Sequence, residues 1–190
     1  MRLALAPALL VAACAAPQPE RPVAATRSPL VVPATSPALD TGEGRVRILA
    51  DTALTGGGWS SLERTEPAGT RTGLHRHNRM DEAFYVVSGT FTVFVGGKLH
   101  ELGPGGFVFI PRDTPHAQGN RSSETIKIVS FFSPGGWEQS ARDRAALHAR
   151  HPFGTPEFGK RIGGFSQATT SKFSGRRRFR RGDAKSCTTA

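Results

Sequence analysis

The stretch Gly73-Leu74-His75-Arg76-His77 sets two imidazoles two residues apart, and Glu82 follows five residues after the second. In an extended strand, residues two apart share a face and lie about 6.6 Å apart along it, given a rise near 3.3 Å per residue. His75 and His77 can therefore aim both rings at one point. A turn over Asn78–Asp81 would bring Glu82 to that point from the start of the next strand. A fourth donor has to come from elsewhere in the sheet. His116, which follows the corner Pro111-Arg112-Asp113-Thr114-Pro115, is the candidate. Three imidazoles and one carboxylate suit Fe, Mn, Ni, Cu, Co or Zn, with positions left open for water or substrate. A lone His-x-His on a strand is more often a solvated strand face, so the case for a metal rests on Glu82 and His116 joining it.

The elements that must position these groups read as short strands. Arg45–Ala50 alternates polar and apolar residues, and Trp59–Glu66 is a weaker candidate. Glu82–Ser88, Thr90–Val95, Lys98–Leu102, Phe107–Ile110 and Thr125–Phe132 are rich in Val, Ile, Phe and Thr. Turn signals at Ser88-Gly89, Gly96-Gly97 and Pro104-Gly105-Gly106 separate several of them. No ten-residue helix fits between these strands, which excludes repeated β-α-β units and predicts an antiparallel sandwich or barrel. Alternation predicts Phe84, Tyr85, Phe91, Phe94, Phe107 and Phe109 as barrel packing, with Trp59 and Trp137 as packing anchors. Arg76 should point away from the site its neighbours face. His100 reads as surface or pocket rim. After Pro134-Gly135-Gly136, the spacing of Trp137, Ala141, Ala145 and His148 predicts one helix, with His148 and His151 solvated at its end.

At these residues the chain resembles the cupin family. The family's first motif, G-x5-H-x-H-x4-E-x6-G, is met by Gly69, His75, His77, Glu82 and Gly89 with every interval kept. The second, G-x5-P-x-G-x2-H-x3-N, is met by Gly105, Pro111, His116 and Asn120, with Asp113 in place of its second glycine. Asp tolerates left-handed backbone better than most residues, so the substitution predicts a changed turn and a retained site. The resemblance implies an all-β cupin jelly-roll barrel over residues 45–135, with a divalent metal on His75, His77, Glu82 and His116. It also implies a metal-dependent oxidoreductase similar to small quercetinase-like cupins, with Glu82 able to act as a base toward a small organic substrate. A non-catalytic binder of metal or small ligand, and a metal-dependent isomerase or lyase, are the alternatives on the same fold. Small cupins often dimerise, so a homodimer is a further expectation.

The ends of the chain carry different signals. Arg2 followed by the apolar run Leu3–Ala13 is too short to span a bilayer and predicts an export signal over residues 1–14. Its ending, Val11-Ala12-Ala13-Cys14, resembles a bacterial lipobox, with Cys14 as the lipidated residue. The alternatives are an ordinary secretory signal, giving a periplasmic or secreted protein, and a mis-assigned start. Residues 15–44 hold Pro17, Pro19, Pro22, Pro29, Pro33 and Pro37 and predict a disordered tether. The helix is expected over residues 136–151 and a basic, disordered tail over residues 152–190. The formal net charge is +10, of which residues 160–190 carry nine Lys or Arg against Asp183 alone, so the rest of the chain is nearly neutral. The Arg-rich segment Gly175–Lys185 would meet an anionic membrane or envelope polymer in an exported chain, and no specific nucleic-acid partner is expected. Cys14 and Cys187 are the only cysteines, which provides no disulfide framework.

Overall fold

In Ile126–Ser133, every second residue from Ile126 to Phe132 is buried, and this period-two pattern is what lets a strand face a core on one side only. The structure, a computed structural model, describes the backbone of residues 28–172 and the side chains of residues 28–162. In chain order the strands are β1 (Leu39–Asp40), β2 (Arg45–Ala50), β3 (Ser60–Glu66), β4 (His75–His77), β5 (Asp81–Ser88) and β6 (Phe91–Val95). They continue with β7 (Lys98–Leu102), β8 (Phe107–Ile110), β9 (His116–Gly119), β10 (Ile126–Ser133) and β11 (Thr170–Lys172). Helix α1 (Thr52–Thr55) sits between β2 and β3, and α2 (Trp137–Arg150) and α3 (Pro156–Thr169) lie between β10 and β11.

The strands form two antiparallel sheets. One runs β1-β2-β3-β10-β5-β8 and the other β11-β4-β9-β6-β7. Neighbours such as β3 and β10, or β4 and β9, are far apart in sequence, so the chain passes repeatedly from sheet to sheet, giving a jelly-roll barrel. Phe84, Val86, Ile110, Ile126 and Ile128 of the first sheet pack against Phe91 and Val93 of the second. The rings of Phe84 and Phe91 lie 5.0 Å apart. A second cluster of Val46, Leu62, Met80, Phe132 and Ala141 is where α2 docks, with Trp137 packed on it. Buried Glu138 fixes the start of that helix by accepting hydrogen bonds from the backbone N–H and hydroxyl of Thr52, at 2.9 and 2.8 Å.

The predicted strands are met within a residue or two by β2, β3, β5, β6, β7, β8 and β10, and the weak candidate Trp59–Glu66 is β3, a strand in the middle of its sheet. Strand β9 had no predicted counterpart, and β1 lies in the segment 15–44 expected to be a disordered tether, where pairing with β2 orders it. Several expectations need correction. Tyr85, Phe107 and Phe109 are exposed, because in Phe107-Val-Phe-Ile110 it is Val108 and Ile110 that face inward. Trp59 is also exposed and anchors nothing in the core, since it precedes β3 and lies outside its inward row. Helix α3 and strand β11 occupy part of the 152–190 tail expected to be disordered. Phe158 of α3 is buried, and its ring meets Phe153 edge-on at 5.4 Å and His148 at 6.3 Å. That contact is tertiary, which is why local periodicity did not reveal it. His148 is accordingly engaged, accepting from the Phe153 N–H at 3.0 Å. The export signal, Cys14 and the Arg-rich segment at 175–185 lie outside the described residues. Among the described residues no helix is long and apolar enough to cross a membrane.

Candidate metal centre

Strand β4 is only three residues long, and its register on β9 is a single pair, His75 opposite His116. Cross-strand partners stand about 5 Å apart, so this pairing brings a third imidazole to the two that alternation already aligns. The chain then crosses from the five-stranded sheet to the six-stranded one through Asn78–Met80, and Glu82 enters from β5. Three donors from one sheet and one from the other meet inside the barrel. The ring centroids of His75 and His116 are 4.3 Å apart, those of His75 and His77 5.2 Å, and those of His77 and His116 5.5 Å. One donor atom from each of the four residues lies within 4.8 Å of all the others. That spread is close to the roughly 4.2 Å between opposite donors around a first-row ion with bonds near 2.1 Å.

The hydrogen bonds orient the rings for such an ion. His75 Nδ1 donates to the Gly73 carbonyl at 2.8 Å, and His116 Nδ1 donates to the Thr114 carbonyl at 2.9 Å. Committing Nδ1 in this way turns Nε2 toward the centre and fixes the tautomer a metal requires. The Nε2 atoms of His77 and His116 both approach one oxygen of Glu82, at 3.1 and 3.0 Å. His77 Nδ1 is buried without a hydrogen-bond partner. A carboxylate shared by two imidazoles, a third ring beside it and an orphaned ring nitrogen form a donor set that fits a divalent cation.

The electrostatics agree. Burial pushes His75 down to about 4, with neighbouring His116 adding to the effect, so its ring is neutral at physiological pH. Burial opposes the charge on Glu82, but hydrogen bonds from His116 and His77 prevail and hold it at about 2. Burial also opposes charge on His116, yet Glu82 outweighs it and raises the ring above the ordinary histidine value.

Asp113 stands at φ 63, the left-handed conformation expected of the glycine it replaces, and its N–H donates to the His77 carbonyl at 2.7 Å. The changed turn expected from the substitution is not what forms: Asp113 itself takes the left-handed conformation, and the turn holds the end of β4. Asp113→Gly is expected to leave stability unchanged or to raise it by up to about 1 kcal/mol, because left-handed backbone strains any residue with a Cβ. The urea midpoint checks this, and a clear loss would mean that the carboxylate itself supports the corner.

Other supports were less visible in the sequence. Asn120 touches no donor. Its Nδ2 donates to the carbonyls of Glu66 and Glu124, and its Oδ1 accepts from the backbone N–H and hydroxyl of Ser122, closing the turn between β9 and β10. A Cβ on Gly119 would lie 2.2 Å from the Thr70 carbonyl, so only glycine lets β9 come this close to the segment leading into β4. Phe132 packs edge-on against His77 at 6.1 Å and stacks on Trp137 at 5.1 Å. Arg64 and Glu66, which share the inward row of β3 with Leu62, pair at 2.7 Å, and the Arg64 guanidinium lies 5.5 Å from the Trp137 ring centre. The alternation in Ser60–Glu66 carried that last signal, since it sets Leu62, Arg64 and Glu66 on one face.

Residues 61–132 match the family described as Cupin domain, and they make up most of the jelly-roll barrel. Over 113 residues the chain is 31% identical to quercetin 2,3-dioxygenase of Bacillus subtilis strain 168, covering 60% of this chain and 33% of that one. It is 30% identical over 75 residues to an uncharacterized protein of Methanocaldococcus jannaschii, covering 40% of this chain and 60% of that one. The chain thus spans about a third and under two thirds of the lengths of these two relatives. Among solved structures, KdgF from a Halomonas species is 24% identical, covers 55% of this chain and 93% of its own, and aligns with a TM-score of 0.49.

Proposed function

We propose that this cupin barrel holds a divalent transition metal through His75, His77, Glu82 and His116 and acts as a metal-dependent dioxygenase on a small organic molecule. The convergence of those four donors between the two sheets carries the metal assignment. The dioxygenase assignment is supported by 31% identity over 113 residues to a quercetin 2,3-dioxygenase, and the four donors lie within the segment 61–132 that matches the Cupin domain family. A bound divalent ion would supply Lewis acidity and, for a redox metal, access to dioxygen chemistry.

The chain's own residues bind and orient. His75 and His116 are held by the backbone carbonyls of Gly73 and Thr114, so their rings cannot turn away. Phe132 packs edge-on against His77, which is buried. Against the cost of burial, hydrogen bonds from His116 and His77 hold the Glu82 carboxyl in its ionised form, so it can accept a proton from a substrate hydroxyl. A second reading, capture of a metal or small ligand without turnover, uses the same four donors.

Oxygen uptake by the natively expressed protein separates the two. With flavonols and related enediols, uptake that disappears on chelation and returns with the native metal is expected. Stoichiometric metal with no uptake across the panel would favour the binding protein.

A further inference from the structure

We propose that strand β11 is a positioning element for the donor set, clamping β4 along its outer edge and fixing His77 in place, a role that rests on the metal assignment proposed above. In the sheet β11-β4-β9-β6-β7, β4 would be the edge strand without β11, with a row of N–H and C=O groups turned to water. Strand β4 has only three residues. Its register on β9 is the single pair His75–His116. Strand β11, by contrast, runs antiparallel beside its whole length, with Thr170 opposite His77, Ser171 opposite Arg76 and Lys172 opposite His75. The other ties toward β9 fall at the ends of β4. The Thr72 N–H donates to the Gln118 carbonyl at 2.8 Å before the strand begins, and the Asp113 N–H donates to the His77 carbonyl where it stops. Most of the register of the metal-bearing strand is thus contributed by a segment far along the chain.

His77 is the donor that needs this support. His75 and His116 each commit Nδ1 to a backbone carbonyl, that of Gly73 and that of Thr114. His77 Nδ1 is buried with no such partner. A ligand ring lacking that second hydrogen bond keeps its direction only through its packing and its own backbone. Phe132 supplies the packing, and the His77 backbone is held by Asp113 and lies opposite Thr170 of β11. The two C-terminal helices deliver both supports. Trp137, at the start of α2, stacks on Phe132. Helix α3 runs directly into β11 and is anchored at its own start, where buried Phe158 meets Phe153 and His148 and Thr155 Oγ1 accepts from the Phe158 N–H at 3.3 Å. Both core clusters draw on residues 39–141, so undocking of β11 is a local opening and not an unfolding of the barrel.

Ser171→Pro/Lys172→Pro in the full chain tests this. In an antiparallel pair every second residue turns its N–H to the partner, so one of the two prolines removes a ladder bond whichever residue donates. Proline also biases the residue before it toward extended backbone, which suits Thr170 and spares α3. With the natively loaded metal and excess EDTA as the probe, this variant is expected to release metal at least about 10-fold faster than wild type, the lower end for losing a group that orients a ligand. Amide exchange over His75–His77 should quicken with it, while the urea midpoint stays at the wild-type value. Ser171→Ala/Lys172→Ala keeps the N–H groups and should match wild type. If the proline variant does not fold, exchange at Thr170–Lys172 in the wild type decides: protected amides uphold the clamp, and amides exchanging at open-chain rates overturn it. Wild-type metal release and wild-type β4 exchange in the proline variant also overturn it, as does an alanine variant that releases metal as fast as the proline one. A wild type that carries no metal refutes the metal centre and not the clamp, which β4 exchange then decides alone.

Discussion

Replacing His75 and His77 together by alanine is expected to lower bound metal from about one ion per chain to below about a tenth, since two of four donors and their chelate geometry are lost. Glu82 and His116 would remain, at 3.0 Å from each other, but one carboxylate and one imidazole supply only two donors, too few to hold an ion tightly. Elemental analysis of the natively expressed protein reads the result. Circular dichroism should show the barrel retained, because the main core cluster of Phe84, Phe91, Ile126 and their neighbours contains neither histidine. Stoichiometric metal in the double variant would show that the donors are other residues. The same protein should lose any metal-dependent oxygen uptake, so the metal assignment and the dioxygenase assignment can fail separately: retained metal refutes the first, and metal without uptake in the wild type refutes the second.

Phe132→Ala is expected to cost about 3–5 kcal/mol, the range for deleting a buried aromatic side chain, and to lower Tm by roughly 10 °C. Phe132 is fully buried and touches three things at once: the second core cluster, the Trp137 ring of α2, and His77. Phe91→Ala provides the comparison. Phe91 is equally buried, packs on Phe84, and belongs to the cluster away from α2. Both variants should lose similar stability in urea. Only Phe132→Ala should also weaken metal affinity, by something like the 10–100-fold typical of losing a group that orients a ligand. Equal affinities in the two variants would show that Phe132 supports the fold without positioning His77.

Most of the strand pattern could be read from alternation, because a half-buried strand writes its burial into every second residue. The candidate donors were legible for a related reason. His75 and His77 need only the strand's own period to share a face, and Asp113 could be recognised as a turn residue from its tolerance of left-handed backbone. The faces of individual strands were less legible. A run such as Phe107-Val-Phe-Ile110 is apolar throughout, so local pattern does not say which pair turns inward, and the aromatic pair was expected inside. Segments whose order comes from docking were also missed: α3 depends on Phe158 meeting Phe153 and His148, and its own sequence is rich in glycine.

The sequence alone determined the residue types of the donor set, the alignment of two of its rings and the all-β character, because these depend on backbone geometry that repeats over two or three residues. Tertiary structure decided that His116 stands opposite His75, that Glu82 crosses from the other sheet to meet His77 and His116, and that three aromatic side chains of β5 and β8 face solvent. Those outcomes depend on register and on the packing of two sheets, which are set by contacts between residues tens of positions apart.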